Sequence, residues 1–148
     1  MIPLRKFTLS ALTVSILTAS AGCQRASSAT SARAGDLTIY GAYAFQPVTL
    51  DEAAVYFRVA NAGDQPDTLT AVFSDISTTA VLHGEGMSEL GGLAVPPHRV
   101  TVLEPGKGHL MLVGLSRIPK SGERIGIRLE FRRAGSVTLE VPVRPYGR

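Results

Sequence analysis

Residues 122–144 read GERIGIRLEFRRAGSVTLEVPVR. In the first half Ile125, Ile127, Leu129 and Phe131 alternate with Gly126, Arg128 and Glu130. Successive side chains of a strand point to opposite faces, so this alternation describes a ribbon with one apolar and one wet side. RRAG supplies a turn, and SVTLEVPVR resumes a strand-like run. Two such runs joined by a short turn predict an antiparallel hairpin.

The same texture extends upstream. LTIYGAY (37–43), EAAVYFRVA (52–60), TLTAVFS (68–74), ISTTAVLH (76–83), RVTVLE (99–104) and HLMLVGL (109–115) are short and rich in β-branched residues, with NAGDQPD (61–67) and PGKG (105–108) as turns between them. No window carries a helical stripe. Seven or more short strands at this spacing predict an all-β fold, a single antiparallel β-sandwich.

Residues 24–35, QRASSATSARAG, are small and polar and predict a flexible tether. Before them, Arg5 and Lys6 precede an apolar stretch over 7–17, then the small residues 18–22, then Cys23. A positive region, a short apolar region and a small-residue zone predict an export signal over 1–22. The apolar run is too short for a permanent span of about 20 residues. Cys23 is the one cysteine, so no intramolecular disulfide can form. SAGC resembles a lipoprotein box in which this cysteine is acylated, with Ser20 where a leucine is usual; cleavage after Ala21, leaving a free thiol, is the other reading. The expected organisation is export signal 1–22, tether 23–35 beginning at a lipidated Cys23, and one domain over 36–148.

Charge narrows the function. The chain has 15 Lys and Arg against 12 Asp and Glu, and removal of Arg5 and Lys6 leaves 13 against 12. The basic residues are scattered, which excludes a nucleic-acid stripe. No Gly-x-Ser-x-Gly elbow or His-Glu-x-x-His is present, so no enzymatic activity is expected.

Both methionines beyond Met1, and all three histidines, fall between 83 and 111. His109 and Met111 lie two apart on a strand and share a face, while Leu110 and Leu112 point the other way into the core. His83 ends another strand, and Met87 follows across Gly84-Glu85-Gly86, a turn able to fold the thioether back. Two imidazoles and two thioethers form a soft, neutral donor set that favours Cu(I); zinc rarely uses thioethers, and calcium and magnesium want oxygens. A blue-copper centre needs a thiolate, and Cys23 is distant. Packing is the alternative role for Met111. His98, in VPPHRV, reads as a surface loop residue, and Glu85 and Glu89 as solvated turn charges able to attract a basic partner.

The spacing resembles that of the periplasmic PCuAC copper chaperones, whose motif is His, then Met, then about 21 residues later His-x-Met. Met87 is followed by 21 residues (88–108) and then His109-Leu110-Met111. PGKGHLMLVGL, AAVYFRVANAGDQPDTL and the closing hairpin resemble the corresponding family segments, so the likeness covers roughly 36–145. Two departures stand out: three residues separate His83 from Met87 where the family has about ten, and no Trp occurs in the first strand, which offers Tyr40 and Tyr43. The resemblance implies a cupredoxin-like or immunoglobulin-like sandwich that acts as a monomer in the periplasm or cell envelope. It implies one Cu(I) per chain on His83, Met87, His109 and Met111. It also implies delivery to cytochrome c oxidase subunit II, alone or with a Sco-type protein, and membrane attachment only through the lipid. The contrasting possibility is an exported interaction module that has lost metal delivery.

Overall fold

The computed structural model describes residues 31–146. The export signal and Cys23 lie outside the described residues. In chain order the strands are β1 (Ala32–Ala34), β2 (Leu37–Phe45), β3 (Glu52–Asn61), β4 (Asp67–Ser74), β5 (Ser77–His83), β6 (Glu89–Leu90), β7 (Leu93–Val95), β8 (Val100–Leu103), β9 (His109–Leu115), β10 (Arg124–Phe131) and β11 (Gly135–Arg144). A single 3-10 turn, Glu85–Met87, separates β5 from β6.

Two layers result. One runs β6-β5-β9-β3-β2, with β1 on the outer edge of β2 and β8 continuing along β3 beyond β9. The other runs β11-β10-β4-β7. Alternation then decides the interior. Ile125, Ile127, Leu129 and Phe131 of β10 and Leu139, Val141 and Val143 of β11 face Ile39, Val55, Phe57, Val59, Leu110 and Leu112. These side chains are essentially inaccessible to water, and burying such an aliphatic side chain contributes about 1.5–3 kcal/mol. The all-β sandwich expected from the sequence is the fold observed.

Two features depart from the sequence reading. Strand β1 lies inside the stretch expected as tether: Ala32, Arg33 and Ala34 pair with Ile39, Thr38 and Leu37. The described strands thus begin at Ala32, four residues before the expected boundary. ARA carries no apolar alternation; backbone pairing and burial of Ala34 order it instead. The second departure is one parallel contact in an otherwise antiparallel fold, Val143↔Ala44 and Arg144↔Phe45, which stitches the two layers along one side.

One local irregularity positions the site. The β2–β3 register slips between Tyr40 and Tyr43, where Gly41 sits at φ 64°. This is a β-bulge on a left-handed glycine. Before it Leu37 and Ile39 point inward; after it Ala42 and Ala44 do. Tyr43 and Phe45 are thereby turned to the outer face beside Tyr56 of β3.

Candidate metal centre

His83 closes β5, His109 opens β9, and the two are directly paired across the strands. His83 Nδ1 lies 3.2 Å from His109 Nε2, and the rings meet at 78° with centroids 5.1 Å apart. Two donors each about 2.0–2.1 Å from one ion, at a tetrahedral angle, stand about 3.3 Å apart. The spacing is that of a hydrogen bond from one ring to the other, and it is also compatible with both nitrogens meeting one ion.

The close approach is fixed by the backbone. Gly108 precedes His109, and a Cβ there would stand 2.8 Å from the His83 carbonyl oxygen. Only glycine lets the PGKG turn run this near to the end of β5. The turn is closed by the Glu104↔Gly108 bridge and capped by the Lys107 Nζ–Glu104 Oε1 ion pair at 2.7 Å.

Alternation places the other candidate donors as follows. Leu110 and Leu112 enter the core with no exposure, which leaves Met111 on the His109 face. Met111 pairs with Val81 on one side and Ala54 on the other. It is buried, 7 % exposed, and lines an apolar recess of about 510 Å³ with Phe45, Tyr56 and Tyr146. Met87 stands differently. It ends the 3-10 turn at φ 65° and is 62 % exposed. Its loop is short because β5 and β6 are paired immediately beneath it, His83↔Glu89, with Gly84 N–H donating to Ser88 O at 2.8 Å. Met87 and His109 nevertheless line one recess of about 310 Å³, together with Tyr56 and Lys107.

The electrostatics suit neutral donors. Burial first, and then the neighbouring His83, hold the His109 pKa below its ordinary value, while Glu52 pulls the other way. Among the described residues no group of three or more His, Cys, Asp or Glu side chains is gathered for a metal. His98 lies elsewhere, exposed and bonded to Asp64 Oδ1 at 2.9 Å, as its loop position implied.

Sequence reasoning passed over one neighbour of the site, Tyr56. Its ring packs 6.3 Å from that of His109 and is itself flanked by Tyr43 at 5.1 Å and Phe45 at 6.0 Å. Alternation along β3 puts Glu52, Ala54 and Tyr56 on one outward face. What conceals the cluster is the Gly41 bulge, which changes the face on which Tyr43 and Phe45 appear.

A family described as "Putative lipoprotein LpqE-like" matches residues 37–143. The chain belongs to this family. A curated relative, "Putative lipoprotein Lxx21020" of Leifsonia xyli subsp. xyli (strain CTCB07), is 27 % identical over 101 residues; the match takes in 63 % of this chain and 61 % of the relative's length. Among solved structures, the copper-bound PCuAC domain from PmoF2 superposes with a TM-score of 0.73 at 26 % identity, covering 78 % of this chain and 97 % of that domain. The solution structure of CuI-DR1885 from Deinococcus radiodurans gives 0.62 at 25 % identity, covering 70 % and 75 %. The LpqE-like domain is thus of the PCuAC type, as its motif implied.

Proposed function

We propose that this LpqE-like protein is a copper(I) chaperone of the cell envelope, tethered through an acylated Cys23 and carrying one ion between His83, His109, Met111 and Met87. The observation that carries the reading is the facing pair His83 Nδ1 and His109 Nε2 at 3.2 Å, with a buried thioether two residues along the same face. Support comes from two structural relatives that carry copper, the PmoF2 domain and CuI-DR1885. The lipoprotein descriptions of the family and of the Leifsonia relative support the anchor.

The donors divide the work by exposure. His83 and His109 are preset by strand pairing, so little ordering entropy is lost when they take the ion. Met111 supplies soft sulfur from an apolar wall, which favours Cu(I) over Cu(II). Met87, at the open rim, is the ligand an acceptor displaces first. The acceptor's ligands enter through the recess that Met87 and Lys107 share, and the half-buried histidines and buried Met111 leave afterwards. The copper centre of cytochrome c oxidase subunit II, alone or with a Sco-type partner, is the proposed destination.

An anaerobic Cu(I) titration against a chromophoric chelator tests the reading. One equivalent per chain should bind tightly in the wild type, with binding collapsing in His109→Ala and Met111→Ala. Wild-type affinity no better than that of the double variant would sink it.

A further inference from the structure

Among the described residues, Tyr56 is the one side chain that borders both recesses: it lines the apolar one with Met111 and the rim one with Met87 and His109. It is buried, 9 % exposed, with its ring tilted 59° to the His109 imidazole. Behind it Tyr43, Phe45 and Tyr146 form a chain of ring contacts with centroids 5.1–6.0 Å apart. His109 thus has a partner imidazole on one side and a backed aromatic ring on another, and its χ angles are bounded by both.

We propose that Tyr56 is a positioning residue of the copper site: its ring holds His109 against His83 and partitions the two recesses, so that ion exchange runs through the Met87 side alone. This inference rests on the copper reading given above. The ring face performs the role, since no hydrogen bond of the Tyr56 hydroxyl is needed for it. Residues that orient a metal ligand typically affect affinity by about 10–100-fold when altered.

The test uses the full chain in four forms: wild type, Tyr56→Phe, Tyr56→Leu and Leu139→Ala. Leu139 is buried in β11, in the opposite sheet, and lines neither recess. It therefore reports loss of packing without loss of the His109 contact. Tyr56→Leu keeps apolar bulk so that the chain folds. Competition with the Cu(I) chelator bicinchoninate gives affinity and extraction rate. The expected result is Tyr56→Phe and Leu139→Ala near wild type. Tyr56→Leu should be weaker by on the order of tenfold, with faster extraction. The proposal is overturned by Tyr56→Leu matching wild type, or by Leu139→Ala losing as much as Tyr56→Leu.

A metal-free readout separates this inference from the copper reading. In the copper-free protein the imidazole nitrogen resonances of His83 and His109 should move in Tyr56→Leu and stay in Leu139→Ala. Unmoved resonances in Tyr56→Leu overturn the positioning role whether or not copper binds. If wild type takes up no Cu(I) while these resonances respond as expected, the copper reading falls and the positioning of His109 stands.

Discussion

Met87 combines two costs without a visible structural return. Its backbone is left-handed at φ 65°, a conformation that costs a side chain about 1–2 kcal/mol, and 62 % of its surface is in water. Strain retained at an exposed position points to a use for the side chain. Met87→Gly should therefore raise the melting temperature of the copper-free chain, by up to about 1 kcal/mol of stability, while weakening copper retention. A fall in stability would show that the thioether is packing. His109 carries a pH prediction. Its pKa is depressed by burial, so between that lowered value and the ordinary one near 6.5 the unfolded chain binds a proton that the folded chain does not. The copper-free domain should hold constant stability above about pH 6.5 and lose it as pH falls below. His109→Gln should flatten that part of the profile, and thermal melts across pH compare the two. The pair His109-x-Met111 was legible because a two-residue spacing on a strand has one geometric meaning. Tyr56 was not, since nothing in its own neighbourhood reveals which aromatic residues surround it.

At the scale of elements, the site is a product of where strands end. β5 stops at His83, β9 starts at His109, and the turn between β8 and β9 delivers the second histidine beside the first. Gly108 is the point of closest approach, 2.8 Å from the His83 carbonyl oxygen if it bore a Cβ. Gly108→Ala must part the strands there. We expect a stability loss of about 1–3 kcal/mol and a weaker copper site, measured by thermal melts and by the chelator competition. Unchanged affinity in that variant would mean that the facing geometry of the histidines is not what holds the ion. The strands themselves were readable from period-two alternation wherever one face is wet. β1 escaped because three small or charged residues are ordered by backbone pairing and the burial of Ala34, without any apolar alternation. The Gly41 bulge escaped because one extra residue leaves both halves of β2 looking alternately apolar.

For the whole molecule, two sheets close a core whose apolar side chains come from nearly every strand, and the site sits on the outer face of one sheet at its open end. Loss of core packing and loss of the site should thus be separable. Leu139→Ala, in the sheet opposite the histidines, should cost about 2–5 kcal/mol while leaving copper affinity unchanged in whatever fraction stays folded. A parallel loss of affinity would show that the site depends on global rather than strand-pair geometry. The layer architecture followed from the sequence because half-buried strands must find a second apolar layer; the parallel contact between β2 and β11 did not, since strand order across a sandwich leaves no local trace. The donor set of the LpqE-like domain is tested most directly by X-ray absorption at the copper edge on the full chain loaded anaerobically with one equivalent of Cu(I). The predicted spectrum contains two imidazole nitrogens and at least one sulfur bound to the same ion, with the sulfur contribution reduced in Met111→Ala. A spectrum of nitrogen and oxygen donors without sulfur, or with a single imidazole, would contradict the account.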